Sequence, residues 1–171
     1  MNIAIIPSRK GSKRIKNKNI KLFFNRPILY WTIKKLKASK LFDHIIVTSD
    51  CNKILELSKS FGADIVIKRP NNLSNDSATT HMAINHALQV LNFNLKKNDH
   101  IFCVYPCNPL LQISDILKSI RLLNNNNNKY IFPVAENKCI KQYSFFLNKY
   151  NQVKFNKEKK KTKLKKQEFF F

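Results

Sequence analysis

The chain has 171 residues, 43% of them hydrophobic, which is enough for one domain with a sizeable core. It contains no run of about 18 apolar residues and no charged-then-apolar leader, so we expect neither a membrane span nor export. The net charge of +22 would suit a nucleic-acid binder, although a composition rich in lysine and asparagine, with only two glycines, also accounts for it.

Strand and helix patterns alternate along the first 123 residues. Apolar runs of strand length occur at four places: 2–6, 44–50, 64–70 and 99–106. Apolar residues recur at helical spacing in four stretches: 27–39, 52–62, 79–91 and 113–123. Gly62 is expected to cap the second helix. A further strand is predicted at 129–135, and 143–155 suggests a hairpin.

This alternation predicts an α/β fold with a mostly parallel sheet, because parallel strands need helical crossovers. Ligands of such sheets bind beyond the carboxyl ends of the strands. The candidate site segments are therefore 8–21, 69–80 and 105–112.

The last residues have a different composition. Residues 154–171 carry eight lysines against two glutamates and show no apolar periodicity. We therefore expect one domain over 1–155, followed by a basic, disordered tail at 156–171. An arm for nucleic acid or an anionic membrane is the alternative interpretation of this tail.

The four cysteines fit no tight metal-binding spacing. Without an export signal, we expect Cys51, Cys103, Cys107 and Cys139 to be reduced thiols in or near the core. This favours a cytoplasmic protein.

The segment after the first strand is strongly basic. It carries seven cations, and no carboxylate precedes Asp43. Gly11-Ser12-Lys13 suggests a phosphate-binding turn, with Gly11 expected to permit a left-handed backbone. The segment matches neither the P-loop nor the dinucleotide-binding fingerprint. The residues alone are equally consistent with an anion-binding loop and with a solvated basic loop.

The stretch IIPSRKGSKRIKNKNIK resembles the opening of the acylneuraminate cytidylyltransferases, which reads roughly ARGGSKxxPxKNIK. Ser8, Lys10 and Lys16 depart from that pattern. The resemblance continues through LFDHIIVTSD, FGADIVIKRPNNLSNDSATT and CVYPCNPLL. It implies a three-layer α/β/α, Rossmann-like fold of the nucleotide-diphospho-sugar transferase type, with 1–155 as the catalytic domain.

The resemblance also implies a reaction. CTP would activate a nonulosonic acid to the CMP-sugar, with release of pyrophosphate. Tyr105 and the segment IKQYSFFLNKYNQVKF favour pseudaminic acid over sialic acid.

The resemblance implies site residues as well. Arg9, Lys13 and Lys18 would clamp the triphosphate as catalytic residues, and Tyr105 would face the sugar. The nucleotide-binding set would comprise Ser8, Arg9, Gly11, Ser12, Lys13, Lys18, Asn19, Arg69, Asp76, Ala78 and Thr80.

Mg²⁺ is the expected cofactor, but no metal ligand can be assigned from the sequence. The family takes its metal carboxylates from a late acidic segment, and its homodimers form through a C-terminal extension. This chain ends before both, so we expect a C-terminally truncated copy. The partners would be CTP and a nonulosonic acid, with no membrane and no specific nucleic acid. Two other interpretations stay open: a non-catalytic nucleotide-binding remnant of the family, and a basic nucleic-acid-binding protein.

Overall fold

The computed structural model describes residues 1–96, 98–125, 130–134, 145–147, 149 and 152–155. The chain forms two compact units, Met1–Asn128 and Lys129–Phe171. The tail at 156–171 lies outside the described residues, so its predicted boundary and disorder stay predictions.

The first unit contains strands and helices in the order that the sequence predicts. Its longer elements are β1 (Asn2–Pro7), α1 (Ile28–Ser39), β4 (His44–Ser49), α2 (Asn52–Phe61), β5 (Ile65–Lys68), α3 (Thr80–Leu91), β6 (His100–Cys103) and α4 (Ile113–Asn125). Between β1 and α1 lie two very short strands, β2 (Leu22–Phe23) and β3 (Arg26–Pro27), which pair antiparallel. Short 3-10 turns occur at Lys18–Ile20 and Asn71–Leu73.

The main sheet is parallel, with strand order β5-β4-β1-β6. Strand β1 lies inside the sheet, where Ile5 pairs with Ile46 of β4 and with Cys103 of β6. Because it is covered on both faces, all of Ile3–Ile6 is buried. The predicted α/β fold with a mostly parallel sheet is confirmed.

The core has two parts because strand side chains point alternately to opposite faces. Ala4 and Ile6 pack in the part that contains Leu29 and Ile33 of α1. Ile3 and Ile5 pack in the other part, with Ala87 of α3. Helices therefore cover both faces of the sheet, which is the predicted three-layer arrangement.

The second unit contains β7 (Phe145–Leu147) and β8 (Val153–Phe155), which pair antiparallel with Phe145 opposite Phe155. This confirms the predicted hairpin. The strand predicted at 129–135 is wrong where the structure describes it, since residues 130–134 have no regular structure. Tyr130 is 84% and Phe132 56% exposed, and Pro133 has no N–H for a ladder.

No helix in the described part of the chain combines the length and apolar character needed to span a bilayer.

Candidate functional site

Three loops meet at the carboxyl edge of the sheet. They follow β1, β5 and β6 and correspond to the predicted segments 8–21, 69–80 and 105–112. Hydrogen bonds and ion pairs connect them directly, so the fold brings together residues that are far apart in the chain.

Asp76 joins the first two loops. Its Oδ1 accepts a 3.0 Å hydrogen bond from Nη1 of Arg9, and its Oδ2 forms an ion pair with Lys13. Arg9 Nη1 also donates to the backbone carbonyl of Asn75 at 3.0 Å. The hydrogen bonds from Lys13 and Arg9 hold the pKa of the exposed Asp76 carboxyl below its usual value. Asp76 thus fixes two of the predicted triphosphate-binding cations side by side.

Asn75 shapes the loop that carries Asp76. Its Oδ1 accepts hydrogen bonds from the backbone N–H groups of Ser77 at 3.1 Å and Ala78 at 2.9 Å. Such a side-chain-to-backbone turn is a local preference of asparagine. The sequence analysis did not single out Asn75, although the Asn-Asp-Ser sequence is a recognisable signal for this turn.

Arg69 lies almost completely buried at the end of β5, with 5% exposure. Its backbone N–H donates to Ser49 O at 2.8 Å, and its Nη2 donates to Thr48 O at 3.3 Å. Burial lowers the pKa of Arg69; Asp50 opposes this shift and Arg9 adds to it. The Nε–H of Arg69 has no hydrogen-bond partner in the described part of the chain.

Two buried hydroxyl groups lie next to Arg69. Ser8 and Thr48 are fully buried, and neither side-chain oxygen has a hydrogen-bond partner among the described residues. Ser8 N–H donates to the same Thr48 carbonyl at 2.9 Å. The Thr48 carbonyl therefore links the backbone of Ser8 to the guanidinium of Arg69. Each of the three unpartnered groups could bond to a water molecule. Sequence reasoning missed Thr48, which reads as an ordinary residue of a buried strand.

Asn19 connects the first loop to the third. It is 5% exposed, its Nδ2 donates to Arg9 O at 2.8 Å, and its Oδ1 accepts from Cys107 Sγ at 3.2 Å. Burial raises the pKa of the Cys107 thiol, although the charge of Lys18 opposes the shift. Lys18 itself is exposed at the edge of the site.

Gly11 does not have the left-handed backbone that the sequence suggested. A Cβ atom placed there would meet no atom within 4 Å, so the folded protein itself does not require glycine. The exposed position next to Ser12 would still allow a ligand to approach the backbone closely.

A cavity of about 210 Å³ lies beside the first loop. Its lining includes Arg9, Lys10, Asn19 and Lys53. Lys53 was not predicted to lie here, because it belongs to α2 and no local pattern marks it. Lys10 and Lys53 in the lining of this cavity add positive charge to the site.

Tyr105 in the third loop contacts Thr80 at the start of α3. The Tyr105 hydroxyl is 3.1 Å from Thr80 Oγ1, and both residues are half-buried. The residue expected at the sugar and a residue expected at the nucleotide are therefore in contact.

The described residues do not fit a protein-held metal. They contain no group of three His, Cys, Asp or Glu side chains placed to hold an ion. The Asp76 carboxylate is already paired with two cations. We assign no metal-dependent step to these residues, and the Mg²⁺ requirement stays a prediction.

The cysteine prediction is wrong for one residue. Cys51, Cys103 and Cys107 are free thiols, and Cys51 and Cys107 are partly buried. Cys103, in the outer strand β6 of the described sheet, is exposed. Cys139 lies outside the described residues.

Comparison with known proteins gives a consistent assignment. The family model described as "Cytidylyltransferase" matches residues 3–170. The pseudaminic acid cytidylyltransferase of Campylobacter jejuni strain 81-176 is 35% identical over 158 residues, which cover 92% of this chain and 68% of the relative. Its counterpart in C. jejuni strain ATCC 700819 is 36% identical over 159 residues, with the same coverage.

One solved structure, CMP:2-keto-3-deoxy-manno-octonic acid synthetase complexed with CTP, superposes with a TM-score of 0.61 at 13% identity. The match covers 74% of this chain and 48% of that one, so the chain spans about half the length of the solved structure. It supports the fold alone. Together with the family model and the two sequence relatives, these findings establish that the chain belongs to the cytidylyltransferase family.

Proposed function

We propose that the chain is a cytidylyltransferase that transfers CMP from CTP to pseudaminic acid and releases pyrophosphate. The observation that carries the proposal is the 35–36% identity, over 92% of the chain, to two pseudaminic acid cytidylyltransferases. The cluster of cations at the carboxyl edge of the sheet supports it.

The first loop supplies charge to the reaction. In this mechanism the anomeric hydroxyl of the sugar loses its proton to solvent and attacks the α-phosphorus of CTP, and the bond from that phosphorus to the pyrophosphate oxygen breaks. Negative charge builds up on the phosphate oxygens, and preorganised cations stabilise it. Arg9, Lys13 and Lys18 take this role. Asp76 keeps Arg9 and Lys13 together before the nucleotide binds.

The second loop and the floor of the site bind the nucleotide. Arg69, with its unpartnered Nε, and the turn at Ala78 border the cytosine. Thr80 completes this border. Ser8, Gly11, Ser12 and Asn19 contribute from the first loop. Asp76 orders the nucleotide-binding loops and does not touch the base.

Tyr105 contacts the sugar from the third loop. Its place at the end of β6 puts it beyond the carboxyl edge of the sheet, next to the nucleotide-binding segment. We place the reaction in the cytoplasm. The expected homodimer is a prediction that sedimentation of the purified chain would test.

The test is a pyrophosphate-release assay with CTP and Mg²⁺. Pseudaminic acid, N-acetylneuraminic acid and 3-deoxy-manno-octulosonic acid are compared as acceptors, and UTP serves as the control nucleotide. We expect kcat/KM to be at least about tenfold higher with pseudaminic acid, which corresponds to roughly 1.4 kcal/mol in the transition state. An EDTA-treated sample measures the metal requirement.

Two outcomes would contradict the proposal. Turnover of another acceptor alone would keep the enzyme class and replace the substrate. CTP binding without turnover of any acceptor would favour the non-catalytic nucleotide-binding remnant.

A further inference from the structure

One peptide group of the first loop is held from both sides. It joins Arg9 to Lys10, and its two polar atoms bond to side chains from different parts of the chain. The Arg9 carbonyl accepts a 2.8 Å hydrogen bond from Nδ2 of Asn19. The Lys10 N–H donates to Oδ1 of Asp50 at 2.7 Å. Because a peptide group is planar, holding its oxygen and its N–H fixes the orientation of the whole group.

The two side chains that hold this peptide are themselves fixed in the fold. Asn19 is almost completely buried, and Asp50 follows directly on β4 at the carboxyl edge of the sheet. The Asp50 carbonyl accepts a 2.7 Å hydrogen bond from Nζ of Lys68, the last residue of β5. Burial lowers the pKa of Arg69, and the negative charge of Asp50 opposes that shift. Asp50 thus connects the first loop to the end of β5.

The same peptide borders the space that a ligand would enter. Arg9, Lys10 and Asn19 line the cavity of about 210 Å³ beside the first loop, together with Lys53. The orientation of the peptide sets the directions in which the side chains of Arg9 and Lys10 leave the backbone, because it joins their two Cα atoms. Asp76 contacts the far end of the Arg9 side chain. The contacts of Asp50 and Asp76 therefore act at opposite ends of the residue that is assigned to the triphosphate.

We propose that Asp50 is a positioning residue for CTP binding: its carboxylate holds the Lys10 N–H and keeps the Arg9–Lys10 peptide in the orientation in which both side chains bind the triphosphate. The inference rests on the proposed function, which assigns Arg9 to the triphosphate and gives Asp50 no role. Asp50 does not touch the nucleotide. Its negative charge alone would weaken the binding of a triphosphate, since like charges repel. The hydrogen bond to Lys10 is the contribution that outweighs this repulsion.

The binding test compares Asp50→Ala, which removes the acceptor, with Asp50→Asn, which keeps an acceptor oxygen and removes the charge. Isothermal titration calorimetry with CTP gives the dissociation constant. Both variants remove a negative charge beside an anion site, so charge alone would make both bind CTP more tightly than the parent. The positioning role predicts the opposite for Asp50→Ala, a dissociation constant about three- to tenfold higher. Asp50→Asn should bind CTP at least as tightly as the parent.

Asp43→Ala is the matched control. Asp43 lies just before β4, and its Oδ2 accepts a 2.6 Å hydrogen bond from the backbone N–H of Asn2. A carboxylate at the opposite end of the same strand therefore makes the same kind of bond, away from the candidate site. Its loss should lower Tm and leave the dissociation constant for CTP unchanged.

A double-variant cycle tests whether Asp50 acts through Arg9. In the Arg9→Ala background, Asp50→Ala should have a much smaller effect on CTP binding than in the parent, because the residue that it positions is gone. Additive losses would refute the positioning role. It is also refuted if Asp50→Ala binds CTP as tightly as the parent, or if Asp50→Asn loses as much affinity as Asp50→Ala.

A second measurement reports the bond without any ligand. The protein is labelled with ¹⁵N-lysine, and the amide signal of Lys10 is identified by its loss in Lys10→Arg. This signal should move in Asp50→Ala and stay in place in Asp43→Ala. An unmoved signal in Asp50→Ala refutes the bond itself. If the parent binds no CTP, the proposed function and the positioning role are both refuted, and the lysine signal still shows whether the bond exists.

Discussion

At the scale of residues, the candidate site combines exposed cations of the first loop with the almost completely buried Arg69 at the end of β5. Arg9 and Lys13 stand out because a basic loop after a buried strand is a recognisable pattern. Their contact with Asp76, 67 residues from Arg9, depends on how two crossovers fold and leaves no local signal. The deep burial of Arg69 could not be predicted either, because arginine is almost always exposed unless it is paired. Gly11 was expected to be left-handed from its residue type alone, and the loop does not use that freedom.

Arg9 and Arg14 allow a matched test of the first loop. Both lie in the same loop, but of these two arginines only Arg9 binds Asp76 among the described contacts. Arg9→Ala should weaken CTP binding about 10- to 100-fold, as expected for loss of a charge-assisted hydrogen bond to phosphate. Its Tm without CTP should hardly change, because exposed ion pairs contribute little to stability.

The measurement is the rise in Tm with increasing CTP, compared between the parent, Arg9→Ala and Arg14→Ala. Arg14→Ala should resemble the parent except for a small, salt-sensitive loss. Equal protection by CTP in the parent and Arg9→Ala would show that Arg9 does not bind the triphosphate.

At the scale of elements, the sequence predicted whether a segment is a helix or a strand better than it predicted where that segment begins and ends. In the described part of the chain, periodic apolar residues predicted the four long helices and the four strands of the main sheet, because burial on one or both faces dictates that spacing. Strands β5 and β6 are shorter than predicted. Strand β5 ends at Lys68, just before Arg69 and Pro70, and the apolar residues after β6 continue into the loop at the site. The β2–β3 hairpin was missed. Two-residue strands have no period, and its turn uses left-handed Phe24 and Asn25 in place of glycine.

Because the chain has only two glycines, two of the described helices end at other residues with a left-handed backbone. Helix α2 ends at Gly62, with φ of 104°, as the sequence predicted. Helices α1 and α3 end at left-handed Lys40 and Asn92, with φ of 55° and 47°. A left-handed backbone is costly for lysine, while asparagine tolerates it better.

Lys40→Gly should therefore stabilise the protein by about 1 kcal/mol, because Lys40 is exposed and its left-handed strain is removed. Asn92→Gly should increase the stability by less, because asparagine already tolerates the left-handed backbone. Gly62→Ala should lose stability by a similar amount from backbone strain alone, since a Cβ there meets no atom within 4 Å. Urea unfolding of the three variants measures these differences. A destabilised Lys40→Gly would contradict the assigned backbone conformation.

Asp64 links helix α1 to strand β4 and predicts a pH dependence. Its carboxylate pairs with Lys37 and accepts a 2.9 Å hydrogen bond from the backbone N–H of Ile45. Burial raises the pKa of Asp64, but the bonds from Lys37 and Ile45 outweigh it, and the net pKa is lowered. A lowered folded pKa means that the stabilisation is complete above the unfolded value of about 3.9 and is lost as the pH falls through the folded pKa.

Asp64→Asn should accordingly be less stable than the parent at pH 7, and the difference should narrow below about pH 4. Unfolding in urea at pH 7, 5 and 3 measures it. Glu56→Gln is the control, because Glu56 is exposed on α2 and takes part in none of the ion pairs of the described residues. A difference that stays constant down to pH 3 would mean that the Asp64 bonds do not depend on its charge.

At the scale of the whole molecule, alternation of strands and helices predicted the layers and the ligand edge. Each parallel strand needs a crossover, and the crossovers place the loops after β1, β5 and β6 on one edge. The pattern failed at 130–134, where the described residues form no strand and Tyr130, Phe132 and Val134 are exposed. An apolar run is a strand only when another strand pairs with it, and a single sequence does not show the pairing.

The net charge of +22 leaves nucleic-acid binding as the competing interpretation for the molecule. If the charge is a property of composition, duplex DNA should bind weakly and without sequence preference. The affinity of the protein for duplex DNA should fall more than about tenfold between 50 and 200 mM salt, because counterion release dominates this binding.

Residues 156–171 carry seven lysines against two glutamates, so their deletion should remove much of the DNA affinity and leave CTP protection intact. Replacing the seven lysines with glutamine is the control of equal length, and it should reproduce the deletion if charge alone is responsible. Fluorescence anisotropy with two unrelated duplexes across a salt series gives both the slope and the selectivity. Sequence-selective binding that persists near physiological salt would contradict the compositional interpretation. It would mean that the basic surface has a nucleic-acid partner of its own, because unspecific phosphate contacts cannot discriminate between base sequences.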